Sequence, residues 1–253
     1  MNLIGTFTLY KKEVLRFIKV YNQTLISPVI SSLTLLAIFY LTTKNHVIMV
    51  DGVHFMEFVG VGLIISAAVQ NAFANTSSVI IVSKMMGTII DFLLPPLTSF
   101  EVIIALTFGA ITRAVIVAIL SYLALSIFID LHIHNILITI FYLVSGSVIL
   151  ALLGIIAAIV SESFEKVAAF TNYFITPFSF LSGSLYSVSH LPPLLKYLNN
   201  FNPFFYIIDG FRYGMSGISS TNTSTSFLVI MTTLIILIFI TGRMFSKRLK
   251  IKG

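Results

Sequence analysis

Few residues in this 253-residue chain can do chemistry. Cysteine is absent, which removes disulfides, thiolate metal ligands and thiol nucleophiles together. The five histidines, His46, His54, His132, His134 and His190, fall between the long apolar runs. No His-Glu-x-x-His arrangement occurs, and Asp130 beside His132 and His134 is the nearest approach to a metal-ligand set. No Gly-x-x-x-x-Gly-Lys-Ser/Thr loop is present, so the chain has no cradle of that kind for nucleotide phosphates and is not expected to hydrolyse ATP. No Ser, His and Asp fall together within an apolar run. Catalytic, cofactor-binding and metal residues are therefore expected to be none.

The elements that would position any site are set by composition. There are 15 Lys or Arg and 9 Asp or Glu, 9% charged against 57% hydrophobic, with mean hydropathy +1.03. Average soluble chains are about 25% charged. A water-soluble domain of this size cannot hide so much apolar surface. Soluble, disordered and fibrous classes are excluded, and the solvent is lipid. Tryptophan is absent, leaving 23 Phe and 10 Tyr as the interfacial aromatics.

A spanning helix needs about 20 largely apolar residues. Six runs qualify, near Thr24–Thr42, Phe58–Asn75, Ile103–Ile129, Ile136–Val160, Val167–Leu185 and Phe227–Phe245. The expected fold is an all-α polytopic membrane protein forming one domain over 1–253, since alternating strands of a barrel are missing. With the N-terminus in the cytoplasm, Lys11, Lys12, Arg16, Lys19, Lys84, Lys166, Arg243, Lys247, Arg248, Lys250 and Lys252 lie inside. Only Lys44, Lys196 and Arg212 lie outside. This bias places both termini in the cytoplasm. It also assigns the net charge of +6 to lipid headgroups rather than nucleic acid.

Three of the segments outside the spans carry a pattern of their own. Residues 1–22 place Phe7, Tyr10, Val14, Phe17 and Tyr21 on one helical face and Lys12, Arg16 and Lys19 on the other, the pattern of an amphipathic interfacial helix. The cytoplasmic loop 76–102 reads as a short helix capped by Ser83 and stopped by Pro95-Pro96. That helix either turns the chain or takes the push of a docking protein. The outer segment 186–225 is too apolar for a solvated loop and too interrupted by proline for one span. It reads as two short helices dipping into the leaflet, with Asp209 and Arg212 spaced to pair. Within the spans Arg113 is the one deep charge, placed to snorkel towards the cytoplasm. Ser66, Gln70, Asn71 and Asn75 repeat at helical spacing, either as interhelical hydrogen bonds or as a polar lining.

Taken in order, Pro177, Leu181-Ser182-Gly183, Leu191-Pro192, Asn202-Pro203-Phe204-Phe205-Tyr206, Asp209 and Arg212 resemble the outer motif of type-2 ABC exporter permeases. Lys84, Gly87-Thr88, Pro95 and Glu101 form a second, weaker match. Lys84 stands where Arg is common, and Ser187-Val188-Ser189 where a proline is common. The resemblance implies a permease subunit exporting a glycan, a lipid-linked or a hydrophobic substrate from a cell inner membrane. It implies two copies of the chain, with spans one and five near their seam and the substrate route between them. It also implies a separate ATPase subunit holding ATP and Mg. Residues Lys84, Met85, Gly87, Thr88 and Asp91 would then belong to the helix that couples to that ATPase, and the outer segment would be a re-entrant hairpin. A secondary transporter and a non-transporting membrane scaffold are the alternatives. Inverted repeats or paired buried charges would mark the former.

Overall fold

The computed structural model describes residues 2–43, 48–89 and 96–250, with the side chains of His190 and residues 247–250 outside the description. Helix α1 spans Leu3–Lys19 and opens on Asn2, whose side chain accepts from Gly5 N. A π-helical turn, Asn22–Ile26, leads into α2, Ser27–Thr43. A two-residue hairpin pairs Met49–Val50 with Val53–His54. Its corner, Asp51-Gly52, has positive φ at both residues, 50° and 94°, the geometry that matches the twist of a tight hairpin.

Helix α3 runs from Phe55 to Met85, well beyond the expected end at Asn75. Ser83 is therefore not the cap of a new helix: its hydroxyl donates back to Val79 O at 2.8 Å. The segment expected as a loop over 76–102 begins as this helix and ends as the next. Helix α4, Ser99–Leu125, opens on a capping box in which Thr98 and Glu101 satisfy each other's backbone. Helix α5, Ile136–Val160, starts on Asn135. Helix α6, Phe164–Phe170, passes through a second π-helical turn, Thr171–Ile175, into α7, Thr176–Leu181. Short α8, Pro193–Asn199, precedes α9, Pro203–Ser216, and α10 spans Thr223–Lys250.

Helix α3 is the hub, packed on α4 and α5, while α9 rests on α5, α10 and α3. Small residues set these approaches. A Cβ on Gly154 would lie 2.3 Å from Thr76 Oγ1, and one on Gly210 or Gly214 would collide with Tyr142 or Thr139 of α5. Close backbone contact of this kind is how helices gain dispersion energy in a solvent as apolar as they are.

Among the described residues, five helical segments are long and apolar enough to cross a membrane: Asn22–Thr43, Phe55–Met85, Ser99–Leu125, Ile136–Val160 and Thr223–Ser246. The expected fifth span corresponds to the helix interrupted at Thr171–Ile175 and is not among these five. Its polar Glu165, Lys166, Thr171 and Asn172 dilute the apolar run.

Candidate functional site

Helix α3 carries a polar face. Ser66, Gln70, Ala74, Ser77 and Ser78 follow one another along it, with Asn71 beside Gln70. Two cavities open along it. One, of about 470 Å³, lies between α2, α3 and α7; its floor is Ser66, Gln70 and Asn71, and Ser32 and Ser179 are among its walls. The other, of about 520 Å³, continues between α3 and the α6 region, over Ala74, Ser77 and Thr171. Gln70 and Asn71 line both, so the two meet there. Among the described residues no charged side chain lines either cavity. Each bordering helix is interrupted by a π turn, Asn22–Ile26 next to Ser27 and Thr171–Ile175 next to Thr176. Such bulges concentrate at functional sites.

Two of these polar residues make interhelical hydrogen bonds. Gln70 Nε2 donates to Ser179 Oγ at 3.1 Å, and Asn71 Oδ1 accepts from Arg113 Nη2 at 2.6 Å. They join helices and line the cavities at once. Arg113 is 7% exposed, so it is held inwards by Asn71 instead of snorkelling.

Helix α1 is fastened to the same face. Arg16 Nη2 donates to Asn75 Oδ1 and to Asn75 O, each at 3.1 Å. Tyr10 Oη and Thr112 Oγ1 share a hydrogen bond of 3.0 Å. Glu13, paired with Arg16 at 2.9 Å, is fully buried beside Gly109 of α4. Burial pushes the Glu13 carboxyl above the ordinary range, and Arg16 pulls it partly back. Phe17 is fully buried, but Phe7 and Tyr21 are exposed, so the face turned to the bundle is only partly the apolar stripe of the sequence. Sequence reasoning missed Glu13. Its signal was its place between Tyr10 and Phe17, three and four residues away on one face.

Lys84, in the last turn of α3, donates Nζ to the carbonyls of Ala158, Ile159 and Ser161 at 2.6, 2.7 and 3.0 Å. It caps the C-terminal end of α5, where a cation suits the helix dipole. Met85, Gly87 and Thr88 are exposed, and Gly87 has φ +71° with open space where a Cβ would stand. Asp91 lies outside the described residues.

At the opposite end, the outer-motif residues make joints. Pro177 sits in the first turn of α7 and Leu181 ends it. Ser182 Oγ donates to Ser179 O, and Gly183 turns the chain at φ +73°. Pro192 precedes α8, and Pro203 opens α9. Asn202 Oδ1 accepts from Phe204 N at 3.0 Å while its Nδ2 donates to Phe178 O at 2.8 Å. The expected Asp209–Arg212 pairing is replaced by two separate sets of contacts. Asp209 accepts from Ser219 Oγ, Ser220 N, Thr221 N and Thr221 Oγ1 at 2.6–3.1 Å. Arg212 Nη2 donates to Gly183 O at 2.8 Å, and its guanidinium lies 3.7 Å from the Phe58 ring centroid. Burial lowers the Arg212 pKa to about 10, against the opposing charges of Asp209 and Asp51. Glu57, Asp130 and His132 line a further cavity on this end. Among the described residues no three His, Asp or Glu converge to hold a metal ion.

Long apolar helices around two cavities with polar, uncharged linings mark a polytopic membrane protein. The family is specific: the ABC-2 type transporter sequence model matches residues 5–216, and the chain belongs to that family. It is similar to the inner membrane transport permease YadH of Escherichia coli strain K12, 29% identical over 223 residues, covering 88% of this chain and 87% of that one. The permease of the same name from Shigella flexneri is similar to the same degree. The chain is therefore a transporter permease, a transport subunit and not an enzyme.

Proposed function

We propose that the chain is the membrane-spanning subunit of an ATP-driven exporter, in which two copies pair and each seats a separate ATPase that binds ATP and Mg. One observation carries this reading: a polar face of α3 opens into two adjoining cavities between α2 and the interrupted α6–α7 segment. From Leu63 to Ile81 that face extends roughly 27 Å at 1.5 Å per residue, close to the bilayer core. The substrate moves along it, with α6–α7 completing six spans and α8–α9 entering the membrane without crossing it.

Sidedness has its own support. Lys84 meets the α5 terminus near Lys166, and Arg16 meets Asn75 and Ser78 on the same third of α3. These basic residues share one end, which we assign to the cytoplasm of a cell inner membrane, both termini included. The ATPase docks there, against the segment that follows Lys84 and includes Met85, Gly87, Thr88 and Asp91.

The absence of cysteine gives a direct test. Ser66→Cys and Ser77→Cys are labelled with a membrane-permeant maleimide in the permease–ATPase complex, with and without ATP. Labelling rates that differ several-fold between the two states are expected. Rates independent of ATP at both positions contradict the reading.

A further inference from the structure

The lining of the cavity between α2, α3 and α7 restricts what can occupy it. Its floor is Ser66, Gln70 and Asn71, flanked by Ser32, Ser179 and Ser184, and its flanks include Leu35, Phe180 and Leu185. Ser66 is 8% exposed and its Oγ has no hydrogen-bond partner. A buried hydroxyl without a partner is costly, so an occupant that supplies one is favoured. A bare hydrocarbon leaves Ser66 unpaired.

An anionic headgroup fares no better. Desolvated at membrane depth it needs a nearby cation, and no cation is among the described residues of this lining. Arg113 stands behind Asn71 and donates to its Oδ1. Hydroxyl and carboxamide groups both give and take hydrogen bonds. That duality matches neutral hydroxyls, while the apolar flank matches an acyl chain.

We propose that this cavity binds an uncharged, hydroxyl-rich amphiphile, a glycosyl diacylglycerol or a close chemical equivalent, with its headgroup at Ser66, Gln70 and Asn71 and its acyl chains along Leu35, Phe180 and Leu185. The proposal rests on the transport reading for its purpose and on the lining for its chemistry.

The chain has no tryptophan, so Phe180→Trp places a single, selectively excited tryptophan at the cavity. Ile235→Trp, on α10 and 68% exposed at the native residue, reports bulk lipid. Both full-length variants go into phosphatidylcholine vesicles containing brominated glucosyl diacylglycerol or brominated phosphatidylglycerol. The glycolipid is expected to quench the Phe180→Trp variant beyond the bulk level set by the Ile235→Trp variant. Phosphatidylglycerol is expected to quench the two variants alike. Adding Ser66→Ala or Gln70→Leu should weaken the excess by roughly threefold for a lost hydrogen bond. Equal glycolipid quenching in the two variants overturns the proposal, as does a stronger excess for phosphatidylglycerol. The ATPase plays no part in this measurement. A glycolipid excess in a chain that recruits no ATPase would keep the site and remove the exporter reading, and the converse would remove the site alone.

Discussion

Gln70 and Ser179 meet side chain to side chain at 3.1 Å, where the two cavities on α3 join, one helical turn beyond the π turn that precedes α7. The contact couples the hub helix to the helix that follows that turn. Gln70→Leu should cost about 0.6–2 kcal/mol, the range for an interhelical hydrogen bond in lipid. Thermal unfolding in detergent reads that loss. Transport should fall further than stability does, because the same side chain lines both cavities. Unchanged transport in a destabilised variant would make Gln70 a structural residue only.

Lys84 should behave as a clamp. Replacing it with Met removes charge-assisted hydrogen bonds to three carbonyls at the end of α5. We expect about 1.5–3 kcal/mol of destabilisation, with faster proteolysis near Ser161. Arginine should restore part of it. A Lys84→Met variant as stable as the native chain would contradict the clamp.

Gly87 separates backbone strain from crowding, because nothing stands where its Cβ would be. Gly87→Leu bears the cost of the left-handed conformation alone, about 1–2 kcal/mol. Insertion should be normal and hydrolysis should run uncoupled from transport, as it should after Asp91→Lys. Normal coupling in both variants would remove this segment from the ATPase interface.

Glu13 should make the docking of α1 depend on pH. Its folded pKa is raised, chiefly by burial. The protonated form is therefore favoured in the folded state. That stability is fully present below the unfolded value and is lost as pH rises through the folded one. Release of α1, followed by limited proteolysis across a range of pH spanning the carboxylate and neutral regions, should increase with pH in the native chain and flatten in Glu13→Gln. An identical pH profile in the two would contradict the assignment. Gly109→Ala should also loosen α1, since its Cβ would stand 3.1 Å from Glu13 Cβ.

The spans were legible where apolar residues run unbroken, as in Ile136–Val160. The extension of α3 from Thr76 to Met85 was not, because its polar side chains find partners within the helix bundle. Thr76 Oγ1 donates to Ala151 O at 2.8 Å, and Ser78 and Ser83 donate to carbonyls three and four residues back. A hydropathy window counts these hydroxyls as water-seeking. Asp209 and Arg212 have the spacing of a pair, but the Ser219–Thr221 loop competes for the carboxylate from eleven or so residues on. The recurrence of Ser66, Gln70 and Asn71 was visible in sequence. That α2 and α7 leave a cavity over them depends on tertiary packing, which no local pattern encodes.

Capture of the chain from native membranes in mild detergent tests whether this permease works with a separate ATPase. An ATP-binding subunit at about one per permease is expected, joined to photo-crosslinkers placed at Met85 and Ile89. Capture without any ATP-binding subunit, under conditions where other ABC complexes survive, would contradict it.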